Sequence, residues 1–187
     1  MRFLVIDLEA TCWQESSDIS RMEIIEIGAV MLASETGPVE SEFESFIRPT
    51  QEPLLSDFCK RLTGIEQQWI DSAETFPFVL AKFTAWAGSS PCLFCSWGDY
   101  DRKQFEVEFL RHKLQRPDLF SRHANLKKSF AELKGIRPCG MKRALQLSGL
   151  PLEGRHHRAI DDAKNIARLA MLILPSLQLG KGNIDLV

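Results

Sequence analysis

The chain has 187 residues, 44% hydrophobic and 26% charged, which is ordinary for a soluble globular protein and enough for one domain with a full core. Its net charge of −2 argues against general nucleic-acid binding. Yet residues 1–100 hold 6 Lys and Arg against 16 Asp and Glu (a balance of −10) while residues 101–187 hold 17 against 9 (+8), a split that suits either a polyanionic partner or a set of solvated basic helix faces.

Five cysteines, an odd number, with no room for an export signal ahead of the first strand, predict a reducing cytoplasm. No apolar run approaches a membrane span. Cys92 and Cys95 form a lone C-x-x-C inside an apolar run, without a second pair to complete a zinc site, and read as small core residues. With no internal repeat, low-complexity tract or linker, the expectation is one domain over 1–187, its core ending near residue 175 and a short tail over 176–187.

Phe3-Leu4-Val5-Ile6 is short, continuous and partly β-branched, the pattern of a strand buried on both faces. It runs directly into Asp7 and Glu9. Residues i and i+2 of a strand share a face, so these carboxylates sit side by side and repel unless protonated or bridged by a cation. Oxygen-only ligands suit Mg²⁺ or Mn²⁺ rather than zinc. The plainer alternative is a strand that has ended, with two solvated acids beyond it.

Gln14 to Ser20 is a polar loop, Ile24 to Leu32 a second strand, Thr36-Gly37-Pro38 a turn, and Glu42 to Pro49 a third strand with one exposed side, together an antiparallel meander. From Leu54 the period changes, and Leu55 to Gly64 reads as a short helix ended by Gly64. Phe76 to Ala87 carries a helical apolar face and precedes a fourth strand over Cys92 to Ser96, the crossover pattern of an α/β domain. Further helices are expected over Arg102–Leu114, Leu126–Leu133, Met141–Leu147 and Ala159–Leu174, the last stopped by Pro175.

Two later places add acids beside apolar structure. In Ser96-Trp97-Gly98-Asp99-Tyr100-Asp101 a strand ends and two acids stand at a helix entrance, where capping alone explains either one. In Gly154-Arg155-His156-His157-Arg158-Ala159-Ile160-Asp161-Asp162, adjacent aspartates open the last helix behind two histidines; capping explains one aspartate but not the crowd of histidines and arginines. Three acidic sites and a histidine meet the needs of phosphodiester hydrolysis. Two divalent ions roughly 3.5–4 Å apart stabilise the attacking and leaving oxygens, and a histidine, with an ordinary pKa of about 6.5, serves as general base.

Asp7-Leu8-Glu9-Ala10-Thr11, then Asp101, then His157 followed five residues later by Asp162, resemble the three motifs of the DEDDh (DnaQ-like) 3′-to-5′ exonucleases. Glu9-Ala10-Thr11-Cys12, Leu62-Thr63-Gly64-Ile65, Thr75-Phe76-Pro77, Ser96-Trp97-Gly98 and the run Asp161 to Arg168 look like the ERI-type exoribonuclease branch, which includes small bacterial members. The resemblance runs from Met1 to about Leu174. It implies an α/β, RNase H-like fold: a mixed five-stranded sheet in the order 3-2-1-4-5 flanked by helices, with a fifth strand near Asn125-Leu126-Lys127 that the periodicity does not show.

The same resemblance implies a divalent-metal-dependent 3′-to-5′ exonuclease acting on single-stranded RNA or a 3′ overhang, with DNA as an alternative substrate and a non-catalytic binding module as the rival reading. Two Mg²⁺ (or Mn²⁺) ions are implied, with Asp7, Glu9 and Asp162 on one and Asp7 with Asp101 on the other. Glu9 and His157 take catalytic roles, His157 as general base. Glu9, Ala10, Thr11, Leu62, Ile65 and His157 meet the terminal nucleotide. No membrane is involved, and monomer or homodimer stays open. Ser-Trp-Gly-x-x-Asp favours Asp101 over Asp99, and the spacing favours His157 over His156 and Asp162 over Asp161. Trp13 and Trp97 are candidates for base stacking, worth about 1–3 kcal/mol per base, or for core and rim. Arg155, Arg158 and Lys164 are candidates for phosphate.

Overall fold

The computed structural model describes residues 1–177 and 184–186. Strands β1 (Arg2–Ala10), β2 (Ile24–Leu32) and β3 (Val39–Phe46) form the expected antiparallel meander. β4 (Cys92–Ser96) pairs parallel with β1, and β5 (Arg122–Asn125) parallel with β4. The five strands stand in the order 3-2-1-4-5, and a sixth, β6 (Ile184–Leu186), extends the sheet antiparallel beyond β5. It falls in the tail, where three residues carry no readable pattern. β5 ends where a strand was expected to centre, because Asn125 becomes a helix cap, its side chain accepting from the Lys128 amide at 3.0 Å.

The helices are α1 (Asp57–Thr63), α2 (Gln67–Asp71), α3 (Phe76–Ala87), α4 (Tyr100–Arg111), α5 (Leu126–Lys134), α6 (Met141–Leu147) and α7 (Ala159–Ile173). α3 and β4 match the expected bounds. α4 starts two residues before the expected Arg102 and ends three before Leu114, where His112 caps it and Lys113 turns into the left-handed region at φ 53°. α2, five residues long, has no apolar period that the sequence could display.

Strand alternation divides the core in two. Phe3 and Val5 of β1, Val30 and Leu32 of β2, and Leu93 and Cys95 of β4 face α5, α6 and α7. Leu4, Ile6 and Leu8 of β1, with Ile27, Ala29 and Met31 of β2, face α3 and α4, where Phe76, Phe83, Phe105, Phe109 and Phe120 interlock. Cys92 packs on this second side and Cys95 on the first, so the C-x-x-C thiols diverge, as expected of core residues. All five cysteines are free.

β1 does not stop at Ile6. Asp7 pairs with Gly28 and Glu9 with Glu26 across the ladder, so both acids stay in the strand and continue the α7-facing row begun by Phe3 and Val5. Gly28, on the same face, is where α7 lands. A Cβ there would stand 2.1–2.3 Å from the backbone of Ala159 and Ile160, so only glycine lets the helix start rest on the sheet beside Asp7. Gly28→Ala is therefore expected to cost about 1–3 kcal/mol or more in urea unfolding, since backbone must move, and to lower the midpoint accordingly. A midpoint equal to the parent's would contradict this close contact.

Candidate active site

At the C-terminal end of β1 a cleft of about 290 Å³ is walled by Asp7, Glu9, Ala10, Leu62, Asp101, His157 and Asp162, and also by Cys12, Met22, Trp97 and Tyr100. Period-2 geometry supplies Asp7 and Glu9. α7, seated on Gly28, supplies Asp162 from its first turn. Ligand oxygens of Asp7, Glu9 and Asp162 all lie within 4.8 Å of one another.

Asp101 enters from the first turn of α4, with its Oδ1 accepting from the Leu8 amide at 3.1 Å. Asp99 caps the same helix without a side-chain hydrogen bond, and its Oδ1 is buried without a partner. It is not among the residues that wall the cleft.

The electrostatics are lopsided. Burial, then the charges of Asp101, Glu9, Asp162 and Glu26, push the Asp7 carboxyl well above the ordinary range. Burial, then Glu26 and Asp162, do the same to Glu9. The leading contributions to both shifts all push upward. Burial also raises Asp162 and lifts Asp101 to about 7, in both cases against hydrogen bonds that pull the other way. A cluster of carboxylate oxygens, in which Asp7 and Glu9 are raised by their neighbours' charge, fits a hard divalent cation.

Adjacent residues of the 154–162 turn divide the work. His157 has φ 66°, a left-handed conformation unusual for a non-glycine residue, and lines the cleft. Its amide donates to Asp162 Oδ2 at 3.0 Å. His156 Nδ1 lies 2.8 Å from the same oxygen, and the two imidazoles stack at 4.0 Å. Burial, then the neighbouring His156, holds the His157 pKa below its ordinary value. Asp161 Oδ2 accepts from the Arg155 amide at 2.8 Å and so closes the turn rather than reaching the cleft.

Several residues singled out in the sequence do other things. The Thr11 hydroxyl accepts from the Glu23 amide at 2.9 Å, tying the end of β1 to the start of β2, and the side chain is buried. Ile65 is not on the cleft wall. It is buried with Ile25, Leu55, Cys59 and Ile70, behind the exposed Leu62. Arg158, a phosphate candidate, is committed to the protein: it bonds Glu26 through Nε and Nη2, reaches Glu44 at 2.9 Å, and lies over the rings of Phe46 and Trp69. Lys164 pairs with Glu42 at 2.8 Å.

Arg155 stays exposed and lies against Gly64. Trp97 packs on Phe130 and donates its Nε1–H to the Cys139 carbonyl at 3.0 Å, while Trp13 sits under Arg21. Tyr100, Met22 and Cys12 were not singled out in the sequence as lining. Cys12 closes the Glu9-Ala10-Thr11-Cys12 segment and Tyr100 stands beside Asp101, so both neighbour a motif acid, whereas Met22 has no such signal.

A profile of the RNase_T exonuclease family matches residues 4–170. The chain is 33% identical to ERI1 exoribonuclease 2 of Xenopus laevis over 189 residues, covering 89% of this chain and 27% of that protein. It is 31% identical to the 3′-5′ exonuclease Snipper of Drosophila melanogaster, covering 89% of this chain and 66% of that one. The chain thus spans about a quarter of the first relative and two-thirds of the second. The nuclease domain of 3′hExo, a DEDDh family member bound to rAMP, superposes with a TM-score of 0.87 at 32% identity, covering 94% of this chain and 92% of that one.

Two measurements test the electrostatics. The folded-state pKa values of the cleft acids lie above their unfolded values, so the cation-free fold binds more protons than the unfolded chain, and its stability falls as pH rises from about 4 through about 7. In chelator at pH 8, Asp7→Asn should therefore melt a few degrees above the parent, on a scale of about 2–4 °C per kcal/mol. The advantage should shrink at pH 5, and Mn²⁺ should raise the parent more than the variant. Equal melting of the two at pH 8 would refute the mutual repulsion. Arg158→Ala, which strands the fully buried Glu26, should cost about 3–5 kcal/mol in urea unfolding; a loss under about 1 kcal/mol would show that Glu26 does not need it.

Proposed function

Because the chain belongs to the RNase_T exonuclease family, we propose that it is a divalent-metal-dependent 3′-to-5′ exonuclease. It acts, on this reading, as one catalytic domain on single-stranded RNA or a single-stranded 3′ overhang and releases nucleoside 5′-monophosphates. The observation that carries the reading is the convergence of Asp7, Glu9 and Asp162 within 4.8 Å in a cleft that His157 also lines. RNA is favoured because relatives of 30–33% identity are named exoribonucleases, or described in 3′-end specific recognition of a histone mRNA stem-loop. A non-catalytic module has no chemical need of four acids lining one cleft.

The donor set would hold two Mg²⁺ or Mn²⁺ ions, Asp7, Glu9 and Asp162 on one, Asp7 with Asp101 on the other. When bound, such ions supply charge stabilisation to the attacking and leaving oxygens and lower the pKa of water. The chain's own residues do the rest. His157, neutral near pH 7 by its lowered pKa, accepts the proton of the attacking water. His156 fixes the Asp162 carboxylate through Nδ1. Ala10 and the exposed Leu62 wall the space for the terminal nucleotide. Thr11 acts on that space indirectly, by holding the end of β1 through Glu23. Five free cysteines suit a cytoplasmic setting, and among the described residues no helix is long and apolar enough to cross a membrane.

Purified protein with Mg²⁺ or Mn²⁺ should shorten RNA from its 3′ end to 5′-mononucleotides, and chelation should stop it. The same sequence as DNA measures the preference. Asp7→Ala should abolish hydrolysis, and His157→Ala should lower kcat by about 10²–10⁴. Failure to shorten either nucleic acid with either metal would defeat the reading.

A further inference from the structure

A strand of phosphates must enter a cleft whose walls are acidic. Cations around the cleft decide whether it can. Most of those near the sheet are already matched: Arg2 with Glu40, Arg158 with Glu26 and Glu44, Lys164 with Glu42, Arg168 with Glu153. The segment from Leu126 to Arg143 differs. Its only acid is Glu132, and it holds Lys127, Lys128, Lys134, Arg137, Lys142 and Arg143. None of the six meets a carboxylate among the described residues, and all but Lys127 are exposed.

Their placement is not scattered. β5 runs parallel to β4 and β4 to β1, so the first turn of α5, with Lys127 and Lys128, lies at the sheet end that carries Asp7 and Glu9. The Lys127 side chain passes Gly98, 3.9 Å from where a Cβ would stand. The loop before α6 is tied to the cleft itself: the Cys139 carbonyl receives the Nε1–H of Trp97, a cleft-wall residue. Arg137, Lys142 and Arg143 flank that tie.

We infer that the first turns of α5 and α6, with the Arg137 loop between them, form the track for the phosphodiester backbone upstream of the 3′ end as it leaves the cleft past Trp97. The inference rests on the proposed nuclease reading for the 3′ end alone. It adds a contact with phosphates and not with bases, so it acts on any sequence and weakens with salt.

The test is the variant Lys128→Ala/Lys142→Ala/Arg143→Ala in the full chain, with melting temperature checked against the parent. Binding of a 5′-labelled RNA of about 20 nucleotides, its 3′-terminal linkages replaced by phosphorothioates, is followed by anisotropy across salt. The magnitude of the slope of log K against log salt should fall by about 2, at about 0.7 per lost phosphate contact. Affinity near 0.1 M salt should fall at least tenfold, with hydrolysis of a dinucleotide unchanged. A slope equal to the parent's overturns the track, and so does a loss confined to dinucleotide hydrolysis. Tighter parental binding of polyglutamate than of RNA would assign the surface to an acidic protein and overturn it too. If the parent cleaves no nucleic acid, the nuclease reading fails while the slope comparison still decides the track.

Discussion

Everything at this site follows from placing carboxylates on the helix-facing side of two adjacent strands. Asp7 and Glu9 on β1 and Glu26 on β2 share that side, and Glu9 stands directly opposite Glu26. Like charges so placed oppose sheet formation, and here they are also desolvated. The fold resolves the conflict unevenly. Glu26 receives the Arg158 guanidinium and the Ala159 amide at 3.1 Å. Asp7 and Glu9 receive neither; α7 instead brings them a further acid, Asp162. The start of one helix thus quenches one carboxylate and leaves Asp7 and Glu9 without a counter-charge, each pushed up by its neighbours, so the cleft keeps an unmet demand for positive charge.

The contrast with the molecule's other buried acids sharpens the point. Glu23 is wrapped by donors from Thr50, Gln51 and Glu52 at 2.7–3.1 Å. Glu108 meets Arg111, His112 and the Ile24 amide. Each of these glutamates joins distant segments and is satisfied within the protein, as buried charge generally must be. Asp7 and Glu9 break that rule, and breaking it at a cleft is the mark of function rather than of architecture.

How much of this the sequence displays depends on range. The shared face of Asp7 and Glu9 is legible because strand period is local and rigid. That His157 rather than His156 lines the cleft agrees with its five-residue spacing to Asp162. What escapes is contact between segments. Nothing near Gly28 announces that α7 will rest on it, more than a hundred residues later in the chain. Arg158 and Lys164 look like free cations until β3 presents Glu44 and Glu42 to them. Ile65 lies beside Leu62 in a motif, yet the helix end at Gly64, with φ 68°, turns it inward. The half-chain charge split is real in the sequence and partly dissolved in the fold, because α7 from the basic half packs on acidic strands; the part that survives lies on α5 and α6.

The two aspartates at the head of α7 show why a cleft-lining turn needs more than its acids. Asp162 reaches the cleft only because the preceding turn is pinned. Gly154, at φ 72°, lies so close to the Asp161 carboxylate that a Cβ would overlap it, Asp161 holds the Arg155 amide, and Arg158 fastens the turn's far end to β2 and β3. Between those anchors His157 is held in a left-handed conformation that a free chain would leave. Its amide and the His156 ring then both engage Asp162. Strain at one residue is offset by bonds converging on its neighbour, so the geometry of the histidine and that of the carboxylate are fixed by the same contacts, and neither can drift without the other.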